Sequence, residues 1–253
     1  MQLVERFLRI NTHAEQEASR LPFRIVYLDG LEGPELSGLR DKVRRNNGAI
    51  EILVHPYYED GKTTLAPSFE LRESYKEERN EFIQRVLEKD IPLVIFEEED
   101  SLKDLSEKID SNVGTVYVVP TLQKEATPSS IKRSHEYHPV LMNSRVAHGL
   151  RFEAWEKVTE PLRKAGVKKA IVGGEYMLLV QPQGDNERIL FDQFSSLAKG
   201  KKGAMELVSA GLFPSACPGQ VANRLLGIGI DISISSISSP TNKIEPTKFT
   251  SKQ

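Results

Sequence analysis

Five short apolar runs, each closing on a polar or small residue, restrict this chain to few folds. They are Arg24–Leu28 closing at Asp29, Ile50–Val54 at His55, Leu93–Phe96 at Glu97, Thr115–Val119 at Pro120-Thr121, and Ala170–Val172 at Gly173-Gly174-Glu175. A sixth run, Ile230–Ile234, passes into serines. The runs are continuous and rich in β-branched residues, the mark of strands buried on both faces. Helical sequence follows most of them, and strand–helix alternation builds a parallel sheet covered by helices. The expected fold class is therefore α/β: a three-layer α/β/α sandwich, Rossmann-like, with five or six mainly parallel strands and right-handed crossovers. Such sheets carry their working residues at the carboxyl ends of the strands. The run-closing residues are thus the first place to seek a site.

The helices can be placed between the runs. One is expected from about Glu35 to Arg45, closed by Asn46-Asn47-Gly48, which tolerate the left-handed backbone of a C-cap. A second runs from about Glu70 to Lys89, its inner face set by Phe82, Ile83, Val86 and Leu87. Its charge run Glu73–Glu81 reads as a solvated face. Ser101 is placed to cap a helix Leu102–Ile109, with Glu98 and Glu99 before it read as solvated. Phe152–Lys164 turns Phe152, Trp155, Val158 and Leu162 inward, and Pro218–Gly227 leads into the sixth run. A short amphipathic helix is expected within residues 2–20 and a long loop over 121–149. Between Met177 and Phe213 the pattern is mixed, with a turn or hairpin near Val180–Asn186 and a basic surface loop at Lys199–Lys202. One domain over 1–237 is expected, followed by a mobile, Ser-, Pro- and Lys-rich tail at 238–253.

Charge narrows the partners. With 34 basic and 36 acidic residues the formal net charge is −2, which gives no pull toward nucleic acid or an anionic membrane. Apolar content of 39% and charged content of 28% suit a globular chain with a sizeable core. No apolar run is long enough to span a bilayer, and the charged N-terminus lacks the apolar core of a signal peptide. A cytoplasmic location, a small-molecule ligand, no nucleic acid, no membrane, and an optional homo-oligomer are the expectations. The single cysteine, Cys217, excludes an internal disulfide.

Cys217 precedes Pro218, a residue favoured at the first position of a helix. A thiol at a helix start has its thiolate favoured by the free amides and the dipole. The same amides could hold an oxyanion. From Cys217 through Gly229 to Asp231-Ile232, the sequence resembles the isochorismatase-like cysteine hydrolases, which open a helix with a nucleophilic Cys and place a Gly twelve residues on. The resemblance implies a hydrolase in which Asp29 serves as general base, with Lys124 or Lys132 standing for the family's lysine. It spans about 60 residues, and the family lacks the roughly forty residues between Gly174 and Cys217.

A second constellation comes from the run ends. Asp29, His55, Glu97 and Glu175 would share one sheet edge, and carboxylates with an imidazole suit a divalent metal that activates water. Gly173, Gly174 and Thr121 on the same edge are candidates for contact with a bound small molecule. His135 and His138, three apart, would share a helix face and could chelate zinc, with His148 further on, but no second Cys or His pair at standard spacing accompanies them and Pro139 would end the helix; no dinucleotide or Walker fingerprint is present. Three functional classes stay open: a small-molecule hydrolase using Cys or metal, a non-catalytic ligand-binding or regulatory module, and an assembly protein.

Overall fold

The structure, a computed structural model, describes residues 23–57, 69–103, 105–109, 111–121, 152–174 and 177–237. The expected N-terminal helix, the 121–149 loop beyond Thr121, its three histidines, Lys124, Lys132, Glu175 and the 238–253 tail lie outside the described residues.

The strands are β1 (Arg24–Tyr27), β2 (Ala49–Val54), β3 (Leu93–Glu98), β4 (Thr115–Thr121), β5 (Lys169–Gly174), β6 (Leu178–Val180), β7 (Phe213–Ser215) and β8 (Asp231–Ile234). The helices are α1 (Gly33–Arg45), α2 (Phe69–Glu88), α3 (Glu99–Lys103), α4 (Leu105–Lys108), α5 (Phe152–Ala165), α6 (Asp185–Ala198), α7 (Lys202–Ser209) and α8 (Ala216–Gly227). Six strands form one sheet in the order β1-β4-β3-β2-β5-β8, and every pairing in it is parallel. All six sequence runs are its strands, so the expected Rossmann-like sandwich is the observed one.

The layers follow from chain direction. Strands β2, β3 and β4 step one way across the sheet; the chain then jumps back over β2 to place β5 on its other side. Right-handed crossovers put helices from opposite steps on opposite faces. One core cluster accordingly joins the sheet to α2, α3 and α4 through Phe82, Ile83, Val86, Leu102 and Leu105. The other joins it to α1, α5 and α8 through Leu39, Val43, Trp155, Leu162, Val221 and Leu225. Side chains alternate along β2: Ile50, Ile52 and Val54 enter this second cluster, while Leu53 enters the α2 face. No helix among the described residues is long and apolar enough to cross a membrane.

Several local expectations need correction. Ser101 lies inside α3, which starts at Glu99, so it caps nothing, and Glu98 is half-buried. α8 starts at Ala216 with Ser215 as its N-cap, which puts Cys217 and Pro218 inside the first turn. The basic segment Lys199–Lys202 ends in the start of α7, where the Asp231 carboxylate accepts from the amides of Gly203 and Ala204. The mixed stretch holds α6 and a two-stranded antiparallel ribbon of β6 and β7.

Candidate functional site

The strand order reverses between β2 and β5, and in open α/β sheets the crevice outside the carboxyl ends at such a reversal is where ligands bind. His55 stands at that point. Its amide donates to Phe96 O at 2.7 Å, extending the β2–β3 ladder by one bond. Its backbone then turns to φ +50°, a left-handed conformation uncommon outside glycine, although His, Asn and Asp adopt it more often than other residues. The imidazole is 1% exposed, and its Nε2 lies 2.9 Å from Thr121 Oγ1 at the end of β4.

Glu97 is at the same level on β3, fully buried. Its Oε2 accepts from the Tyr57 amide and its Oε1 from the Glu98 amide, both at 2.9 Å. Burial pushes this carboxyl up to about 7, although both amides and Lys108 pull it down. The carboxylate thus ties the 55–57 turn to β3. From above, α2 supplies Arg79, whose Nη1 donates to Pro56 O at 2.8 Å and whose guanidinium sits 4.2 Å from the centre of the Tyr57 ring. Lys108 of α4 lies 5.5 Å from that ring. Beside the clamp is a cavity of about 170 Å³ lined by residues including Tyr57, Gln84 and Lys108. That is below the roughly 300 Å³ of ordinary ligand pockets.

Arg79 was hidden in the charge run assigned to solvent, yet it is 4% exposed. A signal was available. Tyr75, Arg79, Ile83 and Val86 keep helical spacing, so Arg79 sits on the buried stripe.

Gly173 and Gly174 have a packing reason. A Cβ on Gly174 would lie 2.0 Å from Val54 O, and one on Gly173 would lie 2.3 Å from Ile237 O. Gly174 also donates its amide to Ile237 O at 3.1 Å. The strand end is therefore crowded between β2 and the segment after β8.

The expected Asp29–Cys217 pair is not brought together. Asp29 is exposed beyond β1, the outermost strand, whereas α8 packs on β2, β5 and β8. The nearest of these is three strand positions from β1, about 14 Å at the usual spacing. Cys217 is 3% exposed, and burial, reinforced by the charges of Glu98 and Glu97, pushes its thiol up to about 12. The helix start therefore carries a thiol that burial keeps protonated. Of the expected metal set, Glu175 lies outside the described residues; among the other three, Asp29 is remote, both Glu97 oxygens accept backbone amides, and His55 Nε2 is engaged by Thr121. Among the described residues no three His, Cys, Asp or Glu side chains are grouped to hold a metal ion.

Comparison of the chain with protein-family models, with curated proteins and with solved structures finds no match.

Proposed function

We propose that this chain is a small-ligand-binding module, with its site over the carboxyl ends of β2, β3 and β4, where His55 meets Thr121. The observation that carries the reading is His55: buried, bonded to Thr121, and held at φ +50° where the strand order reverses. A left-handed backbone costs a side-chain-bearing residue about 1–3 kcal/mol, and such strain persists where function retains it. The remote Asp29 and the buried Cys217 favour binding over the cysteine-hydrolase reading. The ligand would be polar, offering the imidazole and the Thr121 hydroxyl a hydrogen-bonding group.

Thermal-shift measurements with ATP, NAD⁺, S-adenosylmethionine, citrate and inorganic phosphate test this. At least one should raise Tm, and Thr121→Val should weaken that ligand at least tenfold. The reading fails if none shifts Tm, or if the shift survives unchanged in both Thr121→Val and His55→Asn.

A further inference from the structure

Glu51 is a carboxylic acid in the middle of a central strand, with no role in the site above. It is 9% exposed, and its Oε2 is fully buried with no hydrogen-bond partner among the described residues. Strand alternation turns it to the same face as Leu53, toward Phe82, Ile83, Val86 and Leu87 of α2. Its register neighbours are Leu93 on β3 and Ile171 on β5, neither of which carries charge. The charged groups that act on it are Lys169 of β5 and Arg85 of α2. Arg85 lies 5.6 Å from the centre of the Phe82 ring on its own helix, stacked there and not paired with the acid.

We propose that Glu51 is a proton switch beneath α2: neutral, it lets the helix seat with Arg85 on Phe82; ionised, it draws in Arg85 or Lys169 and loosens that seat. The physical reason is that a carboxylate with one oxygen buried and without a hydrogen-bond partner meets a large desolvation cost, whereas the neutral acid does not. Burial pushes this carboxyl up to about 7, with Lys169 and Arg85 only partly offsetting it, so the charge changes near neutrality. Arg79 on the same helix holds Pro56 and Tyr57, so a looser α2 also loosens the turn that carries His55. The switch does not depend on the ligand-binding reading.

The sign follows from linkage. The folded state binds the Glu51 proton more tightly than the unfolded chain. Its contribution is full below the ordinary value of 4.5 and is lost as pH rises through about 7. Across that window the folding equilibrium should fall on the order of 10²-fold from this one group.

The test is urea unfolding of the full chain from pH 4.5 to 8.5, for wild type and Glu51→Gln, with hydrogen exchange of α2 amides at pH 6 and 8. Glu97 is present in both proteins, so the difference curve isolates Glu51. The difference should fall from about pH 4.5 and level off above about 7, and α2 protection should drop about tenfold more between the two pH values in wild type than in Glu51→Gln. Parallel stability curves, or equal α2 protection losses, overturn the proposal. Should Glu51→Gln not fold, the carboxyl carbon of Glu51 in wild type can be followed by NMR: a midpoint near 7 supports the switch and one near 4.5 overturns it.

Discussion

The 2.9 Å contact between His55 Nε2 and Thr121 Oγ1 spans an intervening strand. β3 lies between β2 and β4, so the two side chains meet over a separation of about two strand spacings, roughly 10 Å of backbone. The contact joins the ends of two strands that share no ladder. It also fixes the imidazole over the carboxyl ends of β2, β3 and β4, the edge where parallel sheets carry their working residues.

Thr121→Val removes the hydroxyl with little change of shape. His55 then loses one buried hydrogen bond, whose net contribution is about 0.5–1.5 kcal/mol. Urea denaturation should show a loss in that range. A loss below about 0.5 kcal/mol would mean the imidazole takes up an equivalent bond elsewhere.

The backbone of His55 gives a second measurement. At φ +50° glycine has no steric penalty, whereas alanine does. His55→Gly should therefore be more stable than His55→Ala by about 1 kcal/mol, the reverse of the order in an ordinary strand. The usual order would show that the turn relaxes once the imidazole is gone.

The sheet was legible because strands buried on both faces leave continuous apolar runs, as in Ile50–Val54 and Leu93–Phe96. The β6–β7 ribbon left no such trace, because Leu178–Val180 and Phe213–Ser215 are only three residues each and one contains Pro214. α6 was blurred because Ile189 and Leu197 are exposed, so its apolar positions wrap around more than one face. Strand order was the decisive illegible quantity. Nothing local to Arg24–Leu28 tells that β1 lies at the outer edge beside β4, and that position alone separates Asp29 from Cys217. His55, Glu97 and Thr121 were found by the strand-end rule. Their use of each other and of backbone amides depends on side-chain directions that a run of letters does not carry.

Gly174 separates a glycine needed for space from one needed only for dihedral freedom. At Gly174 a Cβ would lie 2.0 Å from Val54 O, so β5 and β2 must part at the crevice. At Gly30, φ is +69° but nothing lies within 4 Å of the added Cβ. Gly174→Ala should cost about 4 kcal/mol or more, in the range reserved for core disruption. Gly30→Ala should cost about 1 kcal/mol. Thermal unfolding of both variants decides it; similar losses would show that the crowding at Gly174 relaxes freely.

Cys217 offers the sharpest check on the discarded chemistry, because a single thiol makes its labelling unambiguous. The thiolate is the reactive species. With burial holding the native thiol at about 12, the thiolate fraction at pH 8 should be roughly 10³-fold below that of an exposed thiol at about 8.5. Restricted access at 3% exposure slows the reaction further. Iodoacetamide should therefore label native protein at least 10²-fold more slowly than urea-unfolded protein at the same pH. The native rate should track local opening of α8, and its pH profile should climb steadily past pH 9. Rapid native labelling with a midpoint below 8.5 would instead restore Cys217 as an activated nucleophile, and would require the start of α8 to open toward solvent.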